Sequence, residues 1–292
     1  MKPAVFEYDD PETEDEALDL LARHGDDCKV LAGGQSLVPL MNFRLARPAR
    51  LIDINRIDSL SYIKREAGRL VIGAMARHTD LEHAGEVAQG WPLLTEAIGW
   101  VGHSQIRNRG TIGGSVAHAD PAAELPAAFA ALDATFRVRS KRGSRTIGWD
   151  GFFVSEFTTA LGADELVTAV EVPPLDPGVG AAFVEYARRH GDFALGGAAV
   201  TVKLGRDGRC ESATIALLSA GPAPVRASAA EQQLRGTTFD DSSIRAASAE
   251  AVKGLRPTSD LHGSTEYRIG LLRTMTERAL TKATQRARSS TS

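Results

Sequence analysis

The chain has 292 residues, of which 43% are hydrophobic and 24% are charged, and its net charge is -3. This length exceeds one typical domain, so we expect two domains, or one domain of two lobes with a cap. The near-neutral charge gives no general attraction to nucleic acid, and no apolar run reaches the length of a membrane span. The acidic N-terminus lacks the apolar core of a secretory signal, which predicts a cytoplasmic protein.

Cysteine usage limits the chemistry of the chain. Cys28 and Cys210 are the two cysteines. They are too few for a disulfide framework or for a four-thiolate iron–sulfur cluster. Any cluster that exchanges electrons with this chain must therefore belong to a partner.

The first helix is predicted by a capping box, in which Thr13 is followed three residues later by Glu16, and it ends at Gly25. The acidic run 9–16 is then a solvated first turn rather than a metal site. With Asn55 a second lobe begins. Apolar patterning predicts the next elements as strands at 29–32, 50–54, 60–63 and 69–72 and helices at 37–43 and 73–81.

The remaining elements follow from the same patterns. They are helices at 91–100 and 122–132, strands at 136–140, 145–147, 166–172, 181–189, 198–204 and 213–218, and helices at 228–234, 242–253 and 266–286. The double proline 173–174 marks a domain boundary. We therefore predict a first domain at 1–176 with lobes 1–55 and 56–176, a second domain at 177–288, and a frayed tail at 289–292.

Two glycine-containing stretches are candidates for binding phosphate. The first, 32–36, follows an apolar strand, and the second, 111–115, lies in a passage rich in basic, acidic and proline residues at 105–126. Successive backbone N–H groups can form a concave nest around phosphate oxygens. Glycines in the second passage permit positive φ, so we expect it to be neither a simple helix nor a simple strand. From the residues alone, such nests could also bind another nucleotide.

These two stretches resemble the pyrophosphate-binding loops of the FAD-binding subunit of molybdenum hydroxylases, the group that contains xanthine dehydrogenases and the medium subunits of carbon monoxide dehydrogenases. The resemblance continues through 42–48, 105–110 and 183–194 and covers nearly the whole chain. It implies an α+β fold with a two-lobed FAD-binding domain of the vanillyl-alcohol-oxidase type (PCMH), followed by a small antiparallel sheet with helices. No Gly-x-Gly-x-x-Gly follows the first strand, which disfavours a Rossmann site.

The resemblance also implies a set of cofactor-binding residues and no catalytic residue or metal ligand in this chain. The set comprises Ala32, Gly33, Gly34, Gln35, Ser36, Leu37, Thr111, Ile112, Gly113, Gly114, Ser115, His118, Glu124, Val167, Asp192 and Phe193. We favour Glu124 as an acceptor of ribose hydroxyls over a charge partner of a helix N-terminus. We interpret His118, beside Asp120, as a structural donor rather than a catalyst.

Three further positions leave alternatives open. Arg107 and Arg109 could steady phosphate or flavin charge, or pair with Asp53, Asp120 or Glu124. Phe193 stands where family members often have Tyr, so it could shield the flavin or be an ordinary core aromatic. The lysine that some distant relatives direct toward the flavin has no clear match around 184–185.

The resemblance implies a heterotrimer, dimerised into a hexamer. FAD in this chain would take electrons from a [2Fe-2S] small subunit and pass them to a quinone, NAD or oxygen, while a large subunit carries the molybdopterin cofactor. A membrane acceptor would place the cytoplasmic complex at the inner face of the membrane. The segments 100–104 and 191–193, which carry apolar groups beside glycines, are expected to face a partner or to pack internally around the flavin.

The substrate is predicted from small departures from the carbon monoxide dehydrogenases. Gln35 replaces a histidine, and the pair 42–43 replaces Lys-Leu. We therefore favour a complex that hydroxylates an N-heterocycle, a purine-like compound or an aldehyde, with carbon monoxide as the alternative. An autonomous flavin oxidase and a nucleotide-binding regulator are the competing functions.

Overall fold

A parallel three-stranded sheet begins the chain, in a computed structural model that describes residues 2–290. Its strand order is β1–β3–β2. The first elements are β1 (Glu7–Asp9), α1 (Glu14–His24), β2 (Cys28–Leu31), α2 (Leu37–Asn42) and β3 (Arg50–Asp53). The predicted capping box is confirmed, because Thr13 Oγ1 accepts the Glu16 N–H at 3.2 Å and the Glu16 carboxylate accepts the Thr13 N–H at 3.3 Å. Strand β1 was not predicted, since three mostly exposed residues carry no apolar pattern.

A second, five-stranded antiparallel sheet has the order β4–β5–β10–β6–β7. Its region contains β4 (Ile63–Glu66), β5 (Arg69–Gly73), α3 (His78–His83), α4 (Gly85–Gly90), α5 (Pro92–Ile98), α6 (Ser104–Arg107), α7 (Ile112–His118), α8 (Glu124–Ala131), β6 (Thr135–Ser140), β7 (Gly143–Gly148), α9 (Trp149–Phe152), β8 (Phe153–Ser155), β9 (Thr158–Thr159) and β10 (Leu166–Val172). The predicted hairpin 136–147 is confirmed as β6–β7. The helix predicted from 73 is wrong at its start, since Gly73 is still paired in β5 and α3 begins at His78.

The core of this region lies between the sheet and helices α5, α7 and α8. Phe136 is its centre, with ring centroids 4.4 Å from Phe152 and 6.1 Å from Phe129. Helix α8 is buried at every residue, so its small side chains allow it to pass through the middle of the protein. The passage 105–126 is neither a simple helix nor a simple strand, as expected, because it consists of the short helices α6 and α7, the turns between them and the start of α8 at Glu124.

The C-terminal part is a four-stranded antiparallel sheet with helices on one face. It consists of β11 (Gly180–Tyr186), β12 (Gly196–Leu204), β13 (Cys210–Leu218), β14 (Val225–Arg226), α10 (Ser228–Leu234), α11 (Asp241–Ala251) and α12 (Thr265–Ser290). Helix α12 crosses β11 so closely that a Cβ at Gly180 would overlap the Ala283 carbonyl oxygen. The predicted tail is wrong as far as Ser290, which is still helical, and residues 291–292 lie outside the described part.

The two faces of this last sheet serve different cores. Ala182, Val200 and Leu217 pack with α10 to α12, whereas Phe183, Ala199 and Leu218 join the core of the first region. Alternation along β-strands produces this division. The second face therefore brings β11 and β12 against α5 and α8, and any side chain on that face lies between the two parts of the protein. Within residues 2–290, no helix is both long and apolar enough to cross a membrane.

Candidate cofactor site

The two glycine stretches lie against each other. A Cβ built on Gly33 would be 2.4 Å from the Arg109 carbonyl oxygen and 2.8 Å from Gly110 Cα. Such distances leave no space for any side chain at Gly33. The close approach of two backbone segments therefore forms one wall from residues far apart in sequence.

Asn55 and Arg77 fix this approach. Asn55 Nδ2 donates to the Ala32 carbonyl oxygen at 2.7 Å, and Arg77 Nη2 donates to Asn55 Oδ1 at 2.7 Å. Arg77 Nη1 also donates to the Arg109 carbonyl oxygen at 2.5 Å. Burial, and then the charge of Arg109, lower the pKa of Arg77. Neither residue could be predicted from a local pattern, because each acts through backbone atoms of a distant loop.

The first loop has the features of an anion nest. Gly34 has a φ of +73°, in the left-handed region, and α2 begins at Leu37. Within residues 2–290, the backbone N–H groups of 34–37 have no hydrogen-bond acceptor, while Gln35 Nε2 caps the Gly33 carbonyl at 3.0 Å. Consecutive unpaired N–H groups at a helix start are suited to phosphate oxygens.

The second loop works differently from the prediction. The N–H groups of Ile112 and Gly113 donate to the carbonyls of Ala76 and Ala74 at 3.0 and 2.8 Å. Those of 114 and 115 donate to Thr111, which is the N-cap of α7. None of Gly110, Gly113 and Gly114 has a positive φ. The prediction of a second nest of free N–H groups in 111–115 is therefore wrong. This stretch can instead offer a ligand side-chain hydroxyls and a closely packed surface.

The glycines of the second loop allow close packing of protein on protein. A Cβ on Gly113 would be 2.6 Å from Ala74 Cβ, and one on Gly110 would be 2.6 Å from His78 Nδ1. The same addition at Gly114 would be 2.7 Å from Thr111 Oγ1. Their role is to hold α7 against the segment 74–78.

His78 is a buried residue that sequence reasoning missed. Its Nε2 lies 3.1 Å from the Thr111 carbonyl oxygen and 2.9 Å from Ser115 Oγ. Burial is the main reason that its pKa falls to about 4, and the charges of Arg107 and Arg77 act in the same direction. A neutral ring with its proton on Nε2 can donate toward both oxygens and so fix the Ser115 hydroxyl.

We expect His78 to make the protein sensitive to acid. Because its folded pKa lies below the ordinary value, the unfolded chain binds the proton first, and stability falls as the pH drops from 6.5 toward 4. The difference corresponds to roughly 3 kcal/mol. His78→Gln should lose less stability over this range in urea unfolding, while His83→Gln, at an exposed position, should follow the wild type. Parallel pH curves for His78→Gln and the wild type would contradict this role.

The turn between α7 and α8 joins the first region to the C-terminal sheet. The Ser219 N–H donates to the Pro121 carbonyl oxygen at 2.8 Å, and Ser219 Oγ donates to the Ala194 carbonyl oxygen at 2.6 Å. The His118 ring packs against Phe157 in a tilted arrangement with ring centroids 5.1 Å apart, and burial lowers the pKa of His118. Within residues 2–290 the His118 ring forms no hydrogen bond, so its role as a structural donor stays a prediction.

The open alternatives for the arginines are decided in part. Arg107 forms a two-point pair with Glu82, at 2.7 Å from Nε to Oε2 and 2.9 Å from Nη2 to Oε1. Its partner is therefore none of the three acids proposed from the sequence. Arg109 has an exposed side chain and contributes its backbone to the loop contact. Glu124, in contrast, is buried at the start of α8.

The last predicted residues lie in two different settings. Val167, in β10, is buried in the core with Ile112 and Val116 of α7. Phe193 is 70% exposed, so its interpretation as a core aromatic is wrong. Gly191 has a φ of +88°, and a Cβ there would be 2.5 Å from His103 Cε1, so the segments 100–104 and 191–193 touch.

Comparison with known proteins identifies the family. Residues 4–175 match the family model described as the FAD binding domain in molybdopterin dehydrogenase, and 181–283 match the CO dehydrogenase flavoprotein C-terminal domain. The chain belongs to the FAD-binding subunits of molybdenum hydroxylases. It is 48% identical to the 6-hydroxypseudooxynicotine dehydrogenase complex subunit alpha of Paenarthrobacter nicotinovorans, over 99% of this chain and 97% of that one.

Two more relatives show how wide this family is. The FAD subunit is 40% identical to the caffeine dehydrogenase subunit beta of a Pseudomonas species, over 98% of this chain and 97% of that one. It superimposes on carbon monoxide dehydrogenase from Hydrogenophaga pseudoflava with a TM-score of 0.95 and 40% identity, covering 98% of this chain and 99% of that one. The resemblance and the α+β FAD-binding fold inferred from the sequence are thereby confirmed.

The residues present fit FAD. The pyrophosphate of FAD is anionic, and the free N–H groups of 34–37 are the matching donors. Ser115, steadied by His78, adds a hydroxyl on the adjoining wall. Contact between the predicted residues and the cofactor stays a prediction, which substitutions at Gly33 and Phe193 can test.

Proposed function

We propose that this FAD subunit is the electron-transfer component of a heterotrimeric molybdenum hydroxylase that oxidises a nitrogen heterocycle. The match over 99% of the chain to a dehydrogenase-complex subunit, together with the four free N–H groups at 34–37, supports this proposal. Bound FAD supplies the ability to accept electrons from one partner and release them to another. The protein supplies position and electrostatics.

The residues divide this work among them. The loop 32–37 holds the pyrophosphate, Asn55 and Arg77 keep that loop against Arg109, and His78 orients Ser115. The exposed Asp192 and Phe193 lie at the cofactor edge that faces a partner. In this arrangement no residue of the chain needs to exchange a proton with the substrate of the complex.

The partners in this proposal are a [2Fe-2S] small subunit and a large subunit with the molybdopterin cofactor, assembled as a dimer of heterotrimers. Electrons leave FAD for a quinone, NAD or oxygen, at a cytoplasmic site or at the inner face of the membrane. Cys28 and Cys210 are both buried and cannot form a four-thiolate cluster. The cluster therefore belongs to the partner.

Two relatives support the proposed substrate class. Both 6-hydroxypseudooxynicotine and caffeine are nitrogen heterocycles, and these relatives share 48% and 40% identity with the chain. Carbon monoxide is the second candidate, because the chain superimposes on a carbon monoxide dehydrogenase with a TM-score of 0.95. Co-expression with the proposed small and large subunits, followed by turnover assays on pyridines, purines, aldehydes and carbon monoxide, distinguishes the two candidate substrates.

We expect the isolated subunit to contain FAD and to oxidise none of these substrates, because the chain carries the cofactor but not the cluster. An absorbance spectrum after gel filtration checks the first half. Anaerobic turnover with a dye acceptor, measured for the isolated subunit and for the reconstituted complex, checks the second half. A colourless protein would favour a nucleotide-binding regulator, and turnover by the chain alone would identify an autonomous flavin oxidase.

A further inference from the structure

Phe157 is an exposed aromatic residue in an unfavourable backbone conformation. It lies at the tip of the hairpin formed by β8 and β9, is 59% exposed and has a φ of +52°. The left-handed region is unfavourable for a bulky side chain, and glycine would suit this turn better. Because the ring is largely exposed, its packing within the chain offsets little of that cost. The ring therefore points to a contact with a bound molecule.

Unfavourable conformations are concentrated at the turn between α7 and α8. The Phe157 N–H donates to the Ala119 carbonyl oxygen at 3.0 Å, and Ala119 itself has a φ of +51°. On the other side of the turn Ser219, with a φ of +54°, donates its N–H to the Pro121 carbonyl oxygen at 2.8 Å. Within residues 2–290, seven residues other than glycine have a positive φ, and three of them meet at this turn. Such clustering is typical of sites that bind a ligand.

The turn continues the surface that begins at the first loop of the FAD site. A Cβ built on Gly114 of α7 would be 3.9 Å from Ala32 Cβ, so this face of α7 meets the first loop. His118 follows Gly114 by four residues and lies on the same face, about 6 Å farther along the helix. The Phe157 ring packs on His118, with ring centroids 5.1 Å apart. Phe157 therefore lies next to the phosphate-binding loop, one helical turn away from it.

The chemistry of this surface suits a flat, neutral ring. Within residues 2–290 the His118 ring has no hydrogen-bond partner, and much of the Phe157 ring is open to solvent. Glu156 precedes Phe157, and Asp120 follows His118 by two residues, so the nearby charges are negative and unfavourable for a further phosphate. A purine base carries no charge and stacks on aromatic faces. In FAD, the adenine is joined through its ribose to the pyrophosphate.

We propose that Phe157 stacks on the adenine of FAD, and that the turn between α7 and α8 together with the hairpin tip forms the adenosine end of the cofactor site. The inference rests on the proposed function, in which the loop 32–37 holds the pyrophosphate. Stacking covers the exposed ring and so offsets the cost of its backbone conformation. Because FMN lacks the adenosine, Phe157 makes the site select FAD over FMN.

Titration of the FAD-free, full-length chain with FAD, FMN and ADP tests this, both alone and with its co-expressed partner subunits. Phe157→Ala should weaken FAD binding about 5- to 150-fold, the loss typical of removing an aromatic residue from a base stack. The affinity for ADP, which has the adenosine and the pyrophosphate but no flavin, should fall by the same factor. The affinity for FMN should not change.

Two further variants complete the comparison. Phe157→Tyr keeps the ring and should keep most of the FAD affinity. Val154→Ala alters a residue of the same hairpin that is also 59% exposed, and it should bind all three ligands like the wild type. If Phe157→Ala does not fold, Phe157→Gly gives the same comparison, because glycine tolerates the positive φ.

The possible outcomes separate this inference from the proposed function. A wild-type chain that binds no flavin in either setting contradicts the proposed function itself. If the wild type binds FAD and the ring-free variant binds it equally tightly, Phe157 does not contact the adenine. Equal losses of FAD and FMN affinity indicate a general disturbance of the site and also overturn the stacking. Loss of partner subunits with an unchanged FAD affinity assigns Phe157 to an interface instead.

Discussion

Valine at position 33 is expected to remove FAD from the protein and to destabilise it. The new Cβ would lie 2.4 Å from the Arg109 carbonyl oxygen, an atom that is itself held by Arg77 at 2.5 Å. The two loops must separate, which displaces the N–H groups of 34–37. Overpacking of this kind typically costs about 1–3 kcal/mol. Flavin absorbance after gel filtration and the thermal unfolding midpoint are the two measurements.

Gly85 provides a matched control. It lies at the first residue of α4, and a Cβ there would meet no atom within 4 Å. Gly85→Val should therefore keep its FAD and unfold near the wild-type temperature. If Gly33→Val also retained full yellow colour and an unchanged midpoint, the contact between 33 and 109 would not support the cofactor site.

The glycines show what a sequence can and cannot establish. From the sequence, both Gly pairs were interpreted as parts of loops that a phosphate approaches. Of the four glycines in these pairs, only Gly34 has a positive φ. Gly33 and Gly113 have no room for a side chain, because backbone atoms of other segments lie against them. Composition and spacing cannot distinguish contact with a ligand from contact with a distant part of the chain.

Local pattern was sufficient where an element is long or carries a strong terminal signal. The capping box at Thr13 starts α1, and the predicted strands 198–204 and 213–218 pair as β12 and β13. Residues that act across long sequence separations were missed. His78 contacts Ser115, 37 positions away, and Asn55 contacts the Ala32 carbonyl oxygen, 23 positions away. No local pattern records such pairs, because each depends on how the elements pack.

The loop 187–194 is the second feature with a large expected effect. It leaves the C-terminal sheet between Tyr186 and Leu195, where the Leu195 N–H donates to the Tyr186 carbonyl oxygen at 2.8 Å. Trp100 stacks on His190 at its base, with ring centroids 5.0 Å apart at an interplanar angle of 11°. Phe193 lies beyond this base and is exposed. Tyr267, on α12, is another exposed aromatic residue, with 47% of its surface accessible.

An exposed aromatic on an anchored loop is typical of a residue that a partner covers. Two contacts anchor the loop, since Gly191 packs on His103 and His190 stacks on Trp100. This favours the interface interpretation of 191–193 over packing within the chain. A permanent interface there should bury more than about 2,000 Å² in total and be more apolar than the remaining surface.

Phe193→Asp is therefore expected to retain FAD and to lose co-purification with the iron–sulfur and molybdenum subunits. A buried charge in place of an aromatic anchor removes at least about 2 kcal/mol of binding free energy, which weakens assembly about 30-fold. Flavin content and subunit stoichiometry after affinity purification measure the two effects separately. Asp207→Asn, in the exposed turn between β12 and β13, is the control and should assemble normally. Loss of FAD with retained partners would instead place Phe193 against the flavin, and an unchanged complex would exclude it from both surfaces.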